Sequence, residues 1–187
     1  MRIHSIMCAV LIVGGAACGA SSQAEEVRDA RMAKVDEDTV SKTRAIENQQ
    51  ETREDAIEHM HDRTVANLEA SGDDTPAAEE MADVAEERAS YESDVRARWE
   101  TIGVRIDAAE KKMDTLGQKA PVKFESQLNS LAKEHEVLKS DVQNVSSIPS
   151  SSWENTTDTL DERLSKLNDR VKDLTDSIED ANWRAGK

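Results

Sequence analysis

The sequence predicts an all-α protein whose long antiparallel helices form a three- to four-helix bundle or coiled coil. Three observations predict it. The first is a stripe in residues 153–181, where Trp153, Leu160, Leu164, Leu167, Val171, Leu174, Ile178 and Ala181 recur in steps of four and three, interrupted only by Thr157. That mean period of 3.5 keeps one helix face against a partner. The second is punctuation. Gly72 with Pro76, Gly117 with Pro121, and the serine-rich residues 146–152 around Pro149 are places where a helix ends on glycine and restarts on proline. The third is composition: 34% charged residues, 3% aromatics and a formal net charge of −15. Such a chain lacks the apolar bulk for a thick core, whereas seams of Leu, Val and Ile between helices need less of it. Disordered chains share this composition but not the regular stripes.

Four segments follow. Residues 1–17 read as a signal peptide, with one cation at Arg2, an apolar run over residues 6–13, and small residues 14–17 before Cys18. The run is too short to span a membrane comfortably. The small residues immediately before Cys18 resemble a bacterial lipobox, which implies a lipid on Cys18 as the first residue of the mature chain. Gly19, rather than Asp, resembles lipoproteins sent on to the outer membrane. The alternative is ordinary cleavage after Ala24, which discards Cys18. Cys8 and Cys18 are the only cysteines, so the body beyond them offers no disulfide, thiolate nucleophile or cysteine metal site. Losing residues 1–17 removes Arg2 and leaves a mature charge of −16. Residues 18–24 are expected to be a flexible lipid-anchor tether.

Residues 25–70, without Pro or Gly, are expected to form one long helix, ~69 Å if unbroken. Its apolar set is thin: Val27, Val35, Ile46, Ile57, Met60, Val65 and Leu68, with Gln50 and Arg53 at seam positions. Fraying is expected around residues 35–50, and the helix either joins a bundle as a fourth member or extends as a stalk. Residues 76–183 are expected to form an antiparallel three-helix bundle, because the connections are short. The first of its helices carries Met81, Val84, Tyr91, Val95, Trp99, Ile102, Ile106, Ala109, Met113 and Leu116. Gly103 inside it costs about 1 kcal/mol relative to alanine and leaves room for a neighbouring helix. The next carries Phe124, Leu128, Leu131, His135, Leu138, Val142 and Val145. The last opens on an expected capping box of Ser151 and Glu154. A faint repeat at an offset of 54 residues relates Trp99, Ile106 and Met113, each followed by an acid, to Trp153-Glu154, Leu160-Asp161 and Leu167-Asn168. Duplication and coincidence of two heptad stripes both explain it.

The expected structural seam is Trp99, Ile106, Leu128, Leu131, His135, Leu138, Trp153, Leu160, Leu164, Leu167, Val171 and Leu174. His135 is either a register-setting polar residue or, preferably, a seam-edge histidine partly in water. Trp99 and Trp153 read as packing anchors, and Trp183 as an end cap. His59 with Asp55 and Asp62 is a weak candidate for a metal, since His59 and His61, two apart on a helix, point away from each other. No cofactor is expected. The carboxylates are spread along solvated faces, with Glu162 before Lys166 and Asp169 before Lys172. No paired acids in an apolar pocket, nucleophile motif, phosphate loop or calcium loop is visible, so no enzyme is expected. The triplets at Asn144 and Asn155 read as accidental glycosylation matches. An acidic surface excludes a phosphate backbone as partner.

Residues 91–183 resemble bacterial coiled-coil proteins of stress-response or unassigned type, and also exchangeable apolipoprotein helices. The first resemblance implies a role in envelope stress. The expectation is a non-enzymatic, envelope-tethered interaction or scaffold protein facing the periplasm or cell surface. Its partners would be the membrane through Cys18, an envelope protein and a second copy of itself. The alternative is a periplasmic carrier or chaperone-like binder of apolar clients or lipid, sustained by the polar seam residues Gln50, Arg53 and His135.

Overall fold

Glycine ends the first helix and proline starts the second. Gly72 adopts a φ of 71°, the left-handed conformation that a β-carbon disfavours. Thr75 then offers its carbonyl to the N–H groups of Ala78 at 2.8 Å and Glu79 at 3.3 Å, and Pro76 presets the first helical φ. The computed structural model describes residues 20–72, 75–116 and 121–185. They form α1 (Ala20–Ser71), α2 (Pro76–Leu116), α3 (Val122–Gln143) and α4 (Trp153–Ala185), with short 3-10 turns at Val145–Ser147 and Ser150–Ser152. No strand occurs among the described residues. The fold is an all-α helical bundle.

Cross-helix ties give the directions. Arg98, Arg105 and Lys112 of α2 reach Asp161, Asn168 and Glu179 of α4, so these two helices run parallel. Arg163 and Arg170 of α4 reach Asp141 and Glu134 of α3, which therefore runs the other way. Lys112 pairs with Asp36 and His61 with Asp83, so α1 is antiparallel to α2. Each helix thus runs opposite to its neighbour in sequence, as short connections dictate.

The continuous apolar core belongs to α2, α3, α4 and the turn between the last two, which adds Val145, with no residue of α1. Val95, Leu138, Leu164, Leu167, Val171 and Ile178 are fully buried in it, and a leucine so placed contributes about 2 kcal/mol by burial. Thr157, which breaks the stripe of α4, is buried too. Its hydroxyl is satisfied within the helix by the carbonyls of Trp153 and Glu154. Asn182 is buried one turn beyond Ile178, whereas Trp183 is 62% exposed. The helical phase carries Asn182 inward and turns Trp183 away, so the expected tryptophan cap is replaced by an asparagine.

Several boundaries differ from expectation. α1 begins at Ala20, so five of the seven residues of the expected 18–24 tether are helical; residues 20–24 contain neither Pro nor Gly to stop the chain. Residues 35–50, expected to fray, are unbroken helix, because Val35 is buried and Asp36 is tied to Lys112. Ser151 lies inside a 3-10 turn and not in the extended conformation a capping box requires. Pro149 opens that turn, leaving Glu154 in the first turn of α4 as its acidic residue. The signal segment 1–17, Cys18 and residues 117–120 lie outside the described residues.

α1 is both bundle member and stalk. Its inward face against α2 is Met32, Val35, Thr39, Thr43, Ile46, Gln50, Arg53, Ile57, His61, Val65 and Leu68, of which only Val35, 9% exposed, is buried. Met32 meets Thr115, one residue before the end of α2. Arg28, one turn before Met32, is still covered, its side chain 16% exposed, whereas residues 23–27, ~8 Å of helix, are exposed all round.

Candidate functional site

Helix phase decides which polar side chains of α1 meet another helix. His59, Asp55 and Asp62, the expected metal candidates, are all exposed. His61, two residues on, faces α2, with Nε2 3.1 Å from Asp83 Oδ1 and Nδ1 3.4 Å from Glu86 Oε2. Its two nitrogens point at different carboxylates, so the trio clips two helices together and cannot chelate one ion. No group of three or more His, Cys, Asp or Glu among the described residues is arranged to hold a metal. No helix among them is long and apolar enough to cross a membrane.

Of the expected seam residues, Ile106, Leu128, Leu131, Leu138, Leu160, Leu164, Leu167, Val171 and Leu174 are buried. Trp99, His135 and Trp153 are half-buried, and each joins a polar clamp. The indole Nε1–H of Trp99 donates to the carbonyl of His135 at 3.0 Å, and His135 Nε2 lies 2.9 Å from the carbonyl of Trp99. A carbonyl only accepts, so that nitrogen carries a proton. The two rings stack at 4.4 Å with 5° between planes. Gly103 makes the space: a β-carbon there would lie 3.0 Å from His135 Cε1. His135 is partly in water, as preferred from the sequence, and also fixes the register of α3 against α2.

A second clamp closes the opposite end of α3 and α4. Arg88 donates to the Ile148 carbonyl at 3.2 Å and to Ser150 Oγ at 2.8 Å, and lies over the Trp153 ring at 4.5 Å. Tyr91 meets Trp153 edge-on at 5.5 Å and donates its hydroxyl to the Thr157 carbonyl at 3.1 Å. Burial first, then the nearby Asp161 carboxylate, push the Tyr91 phenol well above the ordinary tyrosine range.

The third constellation was not foreseen. Lys112 is 4% exposed, with Nζ 2.5 Å from both Asp36 of α1 and Glu179 of α4. Burial alone would lower its pKa, but hydrogen bonds to the two carboxylates outweigh that and hold it above the usual lysine value. Thr115 and Asn182 share a 3.2 Å hydrogen bond beside it, and both approach Met32 Sδ. Three helices meet on one ammonium. The only sequence signal was the heptad spacing of Arg98, Arg105 and Lys112, the same register in which Asp161 and Asn168 of the faint repeat receive the two arginines.

These groups set an alkaline limit. Tyr91 and Lys112 both bind their protons more tightly folded than unfolded, so their contributions are complete below the unfolded values of 10.0 and 10.5 and are lost as pH rises above them. Urea melts should show stability declining above about pH 10. Tyr91→Phe should cost about 1 kcal/mol at neutral pH and make that decline shallower. An equally steep decline in the variant would remove Tyr91 from the account.

The grooves between helices are open and modest. One of about 460 Å³ runs beside the α3–α4 connection, lined by Asp141, Asn144, Pro149, Asn155 and Arg163. Another of about 420 Å³ between α3 and α4 holds Ser126, Ser130, Ser177, Arg170 and Asp173. In the second the hydroxyls have no histidine beside them to act as base. No family model, curated protein or solved structure matches the chain.

Proposed function

We propose that this is a non-enzymatic helical interaction protein of the bacterial envelope, held to a membrane by a lipid on Cys18. The observation that carries the reading is the junction between that cysteine and the fold. The lipobox-like residues before Cys18 lead within two residues into α1, whose residues 23–27 are exposed all round. A lipid there would hold the bundle off the bilayer on the exposed start of that helix. The titratable clusters serve as ties between helices, and the core is filled by apolar side chains, which supports action by contact without catalysis.

Intact-mass analysis of protein extracted from bacterial membranes tests the anchor. The expected chain begins at Cys18 and carries a diacylglyceryl mass that Cys18→Ser lacks. A chain beginning near Glu25 without lipid would overturn the tether and favour the second reading, a free carrier of apolar clients. That reading draws on α1, whose polar inner face, Thr39, Thr43, Gln50 and Arg53, makes it the helix most readily lifted.

A further inference from the structure

α1 is fastened to the bundle at two places and by little in between. One fastening is Asp36 on Lys112, with Thr115 and Asn182 approaching Met32 one turn away. The other is His61 between Asp83 and Glu86. Asp36 and Asp83 are both more than half exposed, so they regain water when the ties open. Among the described residues, no hydrogen bond or ion pair crosses from residues 37–60 to another helix. The bonds that segment makes stay inside α1. Thr39 donates to the Val35 carbonyl at 2.6 Å, Gln50 to Glu54 at 2.8 Å, and Thr52 to the Asn48 carbonyl at 2.8 Å. Thr39 and Gln50 belong to the inward face, yet lifting α1 off α2 costs neither of them a partner.

The middle of the seam also holds polar atoms that nothing satisfies. Arg53 lies eight residues before His61 on α1, and Ser93 seven after Glu86 on α2, so the antiparallel register sets them level. Arg53 Nη1 and Ser93 Oγ are buried without a hydrogen-bond partner, two of the four such side-chain atoms among the described residues. A buried polar atom left so has given up water for nothing in exchange. The contact surfaces are thin as well. Ala82, Ala97 and Ala108 bury little apolar area, and no residue of α1 enters the continuous core. Toward the start of α2 the bundle reaches Arg88, which meets the α3–α4 connection. Before it, Ala82 is the one buried residue of 76–87, and it lines with Ile57, His61 and Thr64 a groove of about 230 Å³ between α1 and α2.

We infer that α1 is a releasable strap. Held near its two ends over a weak middle, it leaves α2 as one unit while α2, α3 and α4 stay packed on their own core. Residues 76–87 of α2, which lean on α1, open with it. Release gives the α2 face from Ala82 to Ala108 a covered and an uncovered state. This goes beyond both readings of function above and does not depend on the lipid.

Hydrogen–deuterium exchange of the purified protein at increasing urea tests it. Amides of residues 37–60 should share one rate and one urea slope, the mark of opening together, and that slope should be smaller than the slope of α3 and α4. They should exchange at least ~100-fold faster than the amides around Leu138 and Leu167. Arg53→Leu with Ser93→Ala should slow exchange across residues 37–60 about tenfold, because it removes both orphaned atoms. Asp36→Asn with His61→Ala should speed it about tenfold by loosening both fastenings. Leu128→Ala lies in the core of α3, away from α1; it should speed exchange in α3 and α4 at least ~30-fold and leave residues 37–60 unchanged. Three outcomes overturn the proposal. They are a common rate and slope for all four helices, residues 37–60 each exchanging at its own rate without urea dependence, and no slowing in Arg53→Leu with Ser93→Ala. The mass of the chain at Cys18 bears on none of them, so the strap and the anchor fail separately.

Discussion

Replacing Trp99 by alanine is expected to lower stability by about 3 kcal/mol, near the bottom of the range for buried aromatic truncations, because the ring is half-buried. The loss has three parts: the packing of the indole against the core, its hydrogen bond to the His135 carbonyl, and the stack on the imidazole. The last two bind α2 to α3, so the effect should be coupled to His135. Gly103 gives the sharper reading. Alanine there should stabilise a helix by about 1 kcal/mol, but its β-carbon would press on His135 at 3.0 and 3.2 Å. The imidazole cannot swing aside without leaving both Trp99 contacts. Gly103→Ala should therefore yield no gain in the native protein and the full gain in a His135→Ala background. Urea melts of the four proteins form a double-mutant cycle. Equal effects of Gly103→Ala in both backgrounds would sink the account of this clamp.

Lys112→Ala is expected to cost about 2 kcal/mol and to loosen the N-terminal half of α1. Removing one partner of a buried ion pair costs 3–5 kcal/mol when the other charge is stranded. Here Asp36 is 58% exposed and Glu179 46% exposed, so both carboxylates recover water and the cost is smaller. The aliphatic stem of Lys112 also fills the space between α1, α2 and α4, and alanine leaves it empty. Lys112→Met should restore most of the lost stability by refilling that space without a charge. Limited proteolysis reads the local part: in Lys112→Ala, cleavage within residues 25–50 should precede cleavage of α3 and α4. A variant whose α1 stays as protected as the rest would show that Val35 and the polar seam hold the helix unaided. An apolar dye that binds Lys112→Ala and not the parent would show that lifting α1 uncovers apolar surface, the property the carrier reading requires.

The face of α2 turned to α1 shows why this attachment was hidden. It is built from Ala82, Ser93, Ala97, Ala108 and Lys112, all buried. Small side chains let two helices approach closely, but Ala and Ser are equally at home in water, so they leave no apolar stripe to read. The same holds for His61, whose sequence neighbours are acids of its own helix while its partners, Asp83 and Glu86, lie on α2. Sequence spacing ruled out convergence of His59 with His61; it carried no information about what either residue meets across the hairpin.

The sequence by itself determined the helices, their breaks and the aliphatic seams. Each of these is a local property: hydrophobic residues recurring at 3.5, a glycine able to take a positive φ, a proline presetting the next turn. Gly72, Pro76, and the stripes of Leu128 to Val145 and Leu160 to Ile178 belong to this class. Only the tertiary structure decided that α2 is the shared helix, that α1 lies along it while both its ends pass beyond the bundle, and that Lys112 joins three helices. Those outcomes depend on relative lengths and on faces whose residues are neutral toward burial. A lysine at a seam edge is solvated or buried according to whether carboxylates arrive from other helices, and the arrival of Asp36 and Glu179 is a fact of packing that no spacing along one helix encodes.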